Sequence, residues 1–515
     1  MTLLQLKSLV LYALLAVVLR FASFRYIYGI HKFKGPFLAS FTDFWRFLYA
    51  YRNKLFPSRH LHEEYGDVVR LGPNALCFRD PQAIKDIYGA GKNWQKSGFY
   101  APSAPVSRGQ WAHTLFSSPD PTWHRNVRRA MNSFFSQTTV TTYEPLVEST
   151  IEPFLAELQR RFADIDGDAG SFDVYTWMTY FTFDVMSDLT YSQRHGFIAR
   201  AEDVHGIIGW VEEFLAYGFW AGQMPWIDRL LRHNPFLMWL ERRGWYGGNT
   251  FPGARFALQR LAEREREEAA DGLDTKKRED LLDKFRKAKR ERPEHITLKE
   301  VLGLSLSTII AGSEPSAVSI TAILYHVLRT PGCYVKVQSE LASRFPHPAS
   351  SQYPQTPFIA ARSLPYLHAC IQEAFRLHPP FAVNFERLVP QGGASICNQY
   401  IPAGTIVSVN PWVTQRDKAT FGEDVDTFRP ERWVIQDEDK VRAMERAMFV
   451  FGGGNHICLG RNIALMEIYK LVASLLRMFE VEMVDPAKEW TVDTWAISRQ
   501  KGFEVRIKSK WSSKR

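Results

Sequence analysis

Residues 451–460 read FGGGNHICLG. This glycine-rich loop delivers one cysteine, Cys458, to the start of an amphipathic helix. After Leu459 the apolar residues Ile463, Met466, Ile468, Leu471, Val472, Leu475 and Phe479 recur at helical spacing. A sulfur at a helix N-terminus is favoured as the thiolate, because the positive end of the helix dipole and free backbone N–H groups stabilise negative charge there. The thiolate is the form that ligates metal. Gly452, Gly453, Gly454 and Gly460 let the backbone lie close against something flat and bulky, with few side chains in the way. Two plainer readings compete: a buried structural cysteine after a glycine turn, and a loop that cradles phosphate. A phosphate loop needs a preceding strand and a suitably placed lysine, and neither is present.

A second stretch complements the first. Thr297-Leu-Lys-Glu300 has the form of a capping box, and it opens a run to about Arg329 that is apolar nearly all round, hence a buried central helix. At its midpoint, residues 311–317 read AGSEPSA. Ala311 and Gly312 leave room for a flat partner. Pro315 lacks an N–H and frees the carbonyl of residue 311, so a kink is expected. Glu314 would then be a buried acid in a polar notch. Ser316 either serves that notch or bonds its own backbone.

Three further patterns gain meaning beside these. His124 and Arg128 stand one turn apart in WHRNVRRAMNSFF, residues 123–135, on what is ordinarily a solvated basic face. Glu373 and Arg376 flank the apolar face of a helix ended by His378-Pro379-Pro380, and alone they would be a weak surface pair. Phe428-Arg-Pro-Glu-Arg-Trp433 follows downstream.

Together these motifs resemble cytochromes P450, in the family's order and over essentially the whole chain. Phe451, Gly454, His456, Cys458 and Gly460 fill the haem-loop positions. Ala311, Gly312, Glu314 and Ser316 match the helix that lies over the haem iron. The resemblance implies that Glu373, Arg376 and Arg432 interlock as structural support beneath the haem, and that Arg387 meets a haem propionate. Family members commonly carry Trp-x-x-x-Arg where this chain has His124-x-x-x-Arg128, a substitution resembling the fungal pisatin demethylase-like subgroup; His124 and Arg128 are accordingly expected at the propionates. One departure stands out: the family's threonine, which helps route protons, is Pro315. Proton delivery is expected at Glu314 and Ser316.

The implied fold is mainly α with small β-sheets, as a single P450 catalytic domain over 25–515 behind an N-terminal transmembrane anchor over 1–24. The anchor rests on Leu9–Leu19, LVLYALLAVVL, with Lys7 and Arg20 at its flanks. Arg25, His31, Lys32 and Lys34 follow, which places the bulk of the protein on the cytosolic side of the endoplasmic reticulum membrane as a single-pass protein. A cleaved signal peptide is the rival, but it lacks an evident small-residue cleavage site.

Composition agrees with an enzyme that has a lipophilic pocket: of 515 residues, 45% are hydrophobic and 14% aromatic. Five cysteines without pairing rhythm argue against a disulfide framework. A net charge of +9 suits an acidic protein partner or an anionic membrane, and no aromatic-basic stripe points to nucleic acid.

Along the rest of the chain, Asp67–Phe78 reads as a hairpin, and the Pro-, Ser- and Gly-rich segment Lys96–Pro121 corresponds to the P450 loop that covers the substrate. Gly209–Trp226 is either aromatic core or a lid, and Glu263–Arg292 is expected to be a solvated helix pair. Phe381–Glu386 should line the pocket. Ala394–Val409 reads as a hairpin turning at Pro402-Ala-Gly404, and Phe479–Val484 with Phe503–Lys508 as a late hairpin. The loop near Trp495–Lys501 could point into the pocket.

The resemblance implies a haem b cofactor (iron protoporphyrin IX) with Cys458 as axial thiolate and metal ligand. The activity would be insertion of one oxygen atom from O2 into a lipophilic small molecule, in fungal secondary metabolite biosynthesis of a terpenoid, polyketide or alkaloid. No flavin or nicotinamide motif is present, so electrons come from an NADPH-cytochrome P450 reductase, with cytochrome b5 as an optional second donor and Arg129 among the docking contacts. Two rivals stay open: a haem-thiolate isomerase or dehydratase that needs no reductase, and a non-catalytic haem-binding protein.

Overall fold

The computed structural model describes residues 3–53, 58–107, 109–246, 251–271, 280–346, 353 and 356–510. Its axis is the helix Leu298–Arg329, 32 residues long. The capping box forms as the sequence predicts. The Thr297 hydroxyl accepts from the backbone N–H of Lys299, and the Glu300 carboxylate accepts from that of Thr297. The helix continues without interruption through Pro315, where the sequence predicts a kink. The helix Val174–Tyr191 packs along it, and nearly every residue from Ser313 to Val327 is buried. Among the described residues this is the helix that is long and apolar enough to cross a membrane, but half of its most apolar window is buried in the protein, as expected of a core helix.

A four-stranded sheet flanks the helical body, in the spatial order Val68–Gly72, Ala75–Phe78, Ile406–Val409, Arg387–Leu388. The Asp67–Phe78 hairpin is present, with Val68 opposite Phe78. The late hairpin also forms, Phe479–Met483 against Glu504–Ser509, and Ser171–Asp173 adds a third strand. The hairpin within Ala394–Val409 turns elsewhere than predicted. Ala394–Ile396 pairs with Gln399–Ile401, and the turn is Cys397-Asn398, both at positive φ (47° and 60°). Pro402–Thr405 only links this hairpin to the sheet.

The charged region Glu263–Arg292 departs further from expectation. Helices Gly253–Asp271 and Leu281–Glu291 are there, with 272–279 outside the described residues. The second is not a solvated helix. Leu281, Leu282, Phe285 and Ala288 are buried, and its cap Asp280 pairs with Arg264 at 2.6 Å. At the N-terminus, Leu3–Ile27 is one 25-residue helix with Leu11, Leu15, Val18 and Leu19 exposed.

Candidate active site

The cysteine loop is held in place by backbone geometry. Gly454 has φ +53°, and a Cβ there would lie 1.9 Å from the Tyr88 carbonyl oxygen, so only glycine permits this approach. The Cys458 N–H donates to the Phe451 carbonyl at 2.7 Å, and the helix Arg461–Met478 follows directly. The Cys458 sulfur is open to an internal cavity yet deep within the protein. Burial pushes its thiol up, while the Gly460 backbone and the cations Arg128 and Arg461 pull it down; the net direction is up.

Across the cavity stands the central helix, presenting Ala311, Gly312, Pro315, Ser316 and Ser319. Glu314, expected beside them, is not on this wall. It is buried behind it, where Arg499 pairs with its carboxylate and the Tyr175 hydroxyl donates to it at 3.3 Å. Burial lowers Arg499, but Glu314, with help from Tyr175 and Glu212, more than offsets this, so the guanidinium is held firmly charged. Arg499 sits on the strand Ser498–Lys501, and nothing in its sequence neighbourhood marks it as a partner for residue 314. The one-residue offset from Glu314 to Pro315 turns the acid through about 100° of helix, which separates it from the cavity face.

The rim is basic. His124 and Arg128, on the helix Pro121–Met131, line the cavity together with Arg387, His456 and a residue the sequence reading missed, Lys96. The Lys96 ammonium donates to the carbonyls of Leu115 and Phe116 at 2.6 and 2.7 Å. Arg387 donates to the Tyr100 hydroxyl at 2.8 Å and to the Glu386 carbonyl at 2.7 Å, between the rings of Tyr88 and Tyr100. The rings of His124 and His456 lie 4.3 Å apart. These groups depress one another. Burial, then Arg387 and Arg128, lowers Lys96; burial and the three cations lower His124 to about 3, and burial with Arg387 leading lowers His456 to about 2. Both imidazoles are therefore neutral at pH 7, and His456 Nδ1 is buried without a partner.

The remaining wall is apolar. Phe381 and Phe385 line it as predicted, whereas Glu386 turns away to pair with Arg46 at 2.6 Å. Leu115 and Phe116 come from the segment expected to cover the pocket, and Phe285 from the helix expected to be solvated. The Leu281, Phe285, Ala288 spacing was the signal available for it. Gly209–Trp226 does not reach the cavity. Its helix Ile207–Gly222 packs on the turn Gly98–Ser103, which carries the lining residue Tyr100. The tip at Trp495 also stops short: Ile497 bridges Phe381, one layer out.

Beneath the loop, Glu373 is fully buried and accepts from Arg376, Arg432, the Trp433 indole and the Arg429 backbone. This pair is not the surface contact its spacing alone suggests. Gln415 carries the connection upward. Its amide donates to the carbonyls of Phe375 and Arg376, and its oxygen accepts from the N–H of Phe449 at 2.8 Å, at the entrance to the cysteine loop.

Among the described lining residues there is one acid, Glu467, and the sequence reading missed it too. The donor set at the rim, three cations and two imidazoles, suits a ligand bearing two carboxylates. The thiol suits a metal, and the Ala311-Gly312 wall suits a planar ring. The site is thus built for a flat, dianionic, metal-bearing group, which is the description of iron protoporphyrin IX.

Comparison with known proteins agrees. The cytochrome P450 family profile matches residues 41–507. The chain is 36% identical over 480 residues to cytochrome P450 monooxygenase pkfB of Emericella nidulans, covering 92% of this chain and 91% of the relative. It is 34% identical to cytochrome P450 monooxygenase cicH of the same fungus, covering 95% of each. Against cytochrome P450 monooxygenase mpaDE' of Penicillium brevicompactum it is 35% identical over 96% of this chain, but spans only 57% of that relative. The crystal structure of the cytochrome P450 CYP102L1 superposes with a TM-score of 0.70 at 18% identity, covering 88% of this chain and 93% of that one. The chain belongs to the cytochrome P450 family. It is a monooxygenase whose cofactor is iron protoporphyrin IX with a cysteine thiolate ligand.

Proposed function

We propose that this P450 inserts one oxygen atom of O2 into a lipophilic secondary metabolite, a terpenoid, polyketide or alkaloid, in a fungus. One observation carries the reading: a single cavity holds the Cys458 sulfur on one side and the Ala311–Ser316 wall on the other, with aromatic side chains enclosing the rest. In this reading Cys458 would ligate the haem iron through its sulfur. His124, Arg128, Arg387 and His456 would hold the propionates, with Lys96 beside them. Phe451 and Gly460 shape the loop. Haem bound there supplies oxygen activation, which a thiolate ligand favours over simple oxygen carriage.

The chain's own residues orient the substrate, exclude water and handle protons. Glu373, Arg376 and Arg432 do no chemistry; they keep the cysteine loop in register. Ser316 holds a proton at Oγ on the cavity wall. Unlike the hydroxyls of Ser305, Ser307, Thr308, Ser313, Ser319 and Thr321, it makes no bond to a carbonyl of its own helix. Glu314 is engaged with Arg499, so its part is to fix the strand Ser498–Lys501 against the helix.

Electrons come from an NADPH-cytochrome P450 reductase, with cytochrome b5 as a second donor, docking on the exposed basic face that includes Arg129. Raised salt should weaken that docking. We place the catalytic domain, 25–515, on the cytosolic side of the endoplasmic reticulum membrane, tethered by the first helix. At about 1.5 Å per residue, 25 residues span about 37 Å, longer than a hydrocarbon core of about 30 Å.

The test is mass spectrometry of products from microsomes containing the chain and a reductase, across candidate metabolites. A product heavier by one oxygen, formed only with NADPH, is expected. Conversion without NADPH would favour the isomerase or dehydratase reading, which Pro315 at the threonine position keeps in play.

A further inference from the structure

One turn before Ala311, the central helix presents two adjacent hydroxyls to the cavity. Ser307 and Thr308 both line it and are half-buried, while Leu304 on the same face, Leu115, Phe116 and Phe285 are apolar. The Ser307 hydroxyl donates to the Leu304 carbonyl at 3.1 Å, and the Thr308 hydroxyl donates to the same carbonyl at 2.7 Å. Each hydroxyl thereby commits its single proton and keeps oxygen lone pairs to offer. The covering segment approaches the helix at Gly303, where a Cβ would stand 4.0 Å from the His113 carbonyl. Its lining residue Thr114 is closed on Ser117, through a contact between their hydroxyls at 3.1 Å and a bond from each backbone N–H to the other hydroxyl. The charged side chains among the described lining residues are Glu467 and the rim cations Lys96, Arg128 and Arg387, which the reading above assigns to the propionates. An ionised substrate would meet no counter-charge of its own there.

We propose that Ser307 and Thr308 form an acceptor subsite for a hydroxyl of the substrate, which is therefore a neutral lipophilic molecule bearing a phenol or alcohol. The inference rests on the monooxygenase reading above and narrows its substrate class. An O–H group that leaves water for an apolar cavity is costly to bury unless it finds an acceptor. Two hydroxyl oxygens side by side on an otherwise apolar stretch of helix supply one. An ether or ketone oxygen at the same point meets only acceptors, and it gains a bond only if a hydroxyl gives up the Leu304 carbonyl. Thr308 is the stronger acceptor of the two, because its shorter bond to that carbonyl polarises the hydroxyl more. Thr308 stands three and four residues before Ala311 and Gly312, on the same face of the helix and about 5 Å back along its axis. A hydroxyl held there fixes which end of the substrate is turned toward the Ala311-Gly312 wall. Ser307 and Thr308 are thus specificity-determining residues that touch the substrate and take no part in proton transfer.

The experiment is isothermal titration calorimetry of the haem-loaded ferric protein with two probes, β-naphthol and its methyl ether, which share a ring system and differ in whether the oxygen can donate. The ratio of their dissociation constants is compared between wild type and variants, so that the different lipophilicity of the probes cancels. Thr308→Val keeps the shape of the side chain and should shift the ratio against the naphthol by roughly 3- to 10-fold, the worth of one neutral hydrogen bond, with the ether's affinity little changed. Ser307→Ala should shift it the same way by less, and it carries the test if Thr308→Val folds poorly. Thr308→Ser retains the hydroxyl and should keep the wild-type ratio. A ratio unmoved by Thr308→Val and by Ser307→Ala, an equal shift in Thr308→Ser, or a wild-type protein that binds neither probe would each overturn the proposal. If the haem-thiolate reading itself fails, the reduced carbon monoxide complex of the same preparation shows no thiolate Soret band; if only this inference fails, that band stays intact.

Discussion

Replacing Glu373 by Gln keeps the shape of the side chain and removes one charge beneath the cysteine loop. Its oxygens accept from Arg376 Nε and Nη2 at 2.8 Å, from Arg432 Nε at 2.8 Å, from the Trp433 indole at 2.9 Å and from the Arg429 N–H at 3.0 Å. Both guanidiniums are buried, and the other carboxylate in reach, Asp424, stands 3.4 Å from Arg432 and is partly exposed. The amide thus leaves Arg376 without its carboxylate and Arg432 with only the partly exposed Asp424, a loss of about 3–5 kcal/mol for one broken buried pair. Unfolding entropy of roughly 2 cal/mol/K per residue over 515 residues comes to about 1 kcal/mol/K. The midpoint should therefore fall by about 3–5 °C. Because Gln415 ties this network to Phe449, part of the loss should reach the cysteine loop. The assay follows thermal unfolding by far-ultraviolet circular dichroism and by the Soret band separately, since a haem protein of this size need not unfold in one step. In Glu373→Gln the Soret midpoint should fall at least as far as the circular dichroism midpoint, with a smaller share of thiolate-ligated haem. Wild-type midpoints and a full thiolate signal would refute the reasoning.

Gly454→Ala should yield folded protein that fails to retain thiolate-ligated haem, because the new Cβ meets the Tyr88 carbonyl at 1.9 Å; absorption after purification checks it. Arg387→Leu removes a charge-assisted contact worth about 1.5–3 kcal/mol, so haem transfer to an apoprotein acceptor should become roughly 10- to 100-fold more favourable. Glu467 also shapes the pH dependence of stability. The unfolded carboxyl ionises at its ordinary 4.5, while the folded one keeps its proton to about 8, so its contribution is fully present below pH 4.5 and is lost as pH rises through 8. Relative to wild type, Glu467→Gln should gain on the order of 4 kcal/mol between those limits, read as the difference in urea midpoints at pH 5 and pH 8.5. Equal differences at both pH values would contradict it.

The loop 451–460 and the capping box at Thr297 could be read in advance because each depends on local spacing, whereas the Glu373, Arg376, Arg432 set is expected only from the family resemblance, its spacing alone suggesting a weak surface pair. The cysteine must begin a helix, and a cap must precede an apolar run. What could not be read depends on which way one face of a buried helix turns. Glu314 sits one residue before Pro315, and only the packed structure reveals that Arg499, 185 residues away in the chain, claims it. Glu467 looks like the polar side of an amphipathic helix. That helix is buried on both sides, which makes the same residue the cavity's lone described acid. Lys96 lay in a segment read for its loop character, so its single charge drew no attention. Phe285 was hidden by the lysines and arginines around it, although the buried stripe from Leu281 to Ala288 had helical spacing. The turn at Cys397-Asn398 escaped because a proline and a glycine a few residues later offered a more familiar signal.

The central claim is that Cys458 binds haem iron through its sulfur. Purified protein, reduced with dithionite and exposed to carbon monoxide, should show the red-shifted Soret band of a thiolate-ligated ferrous haem, and Cys458→Ala should lose that band. A wild-type spectrum without it, or one that persists in Cys458→Ala, would contradict the account.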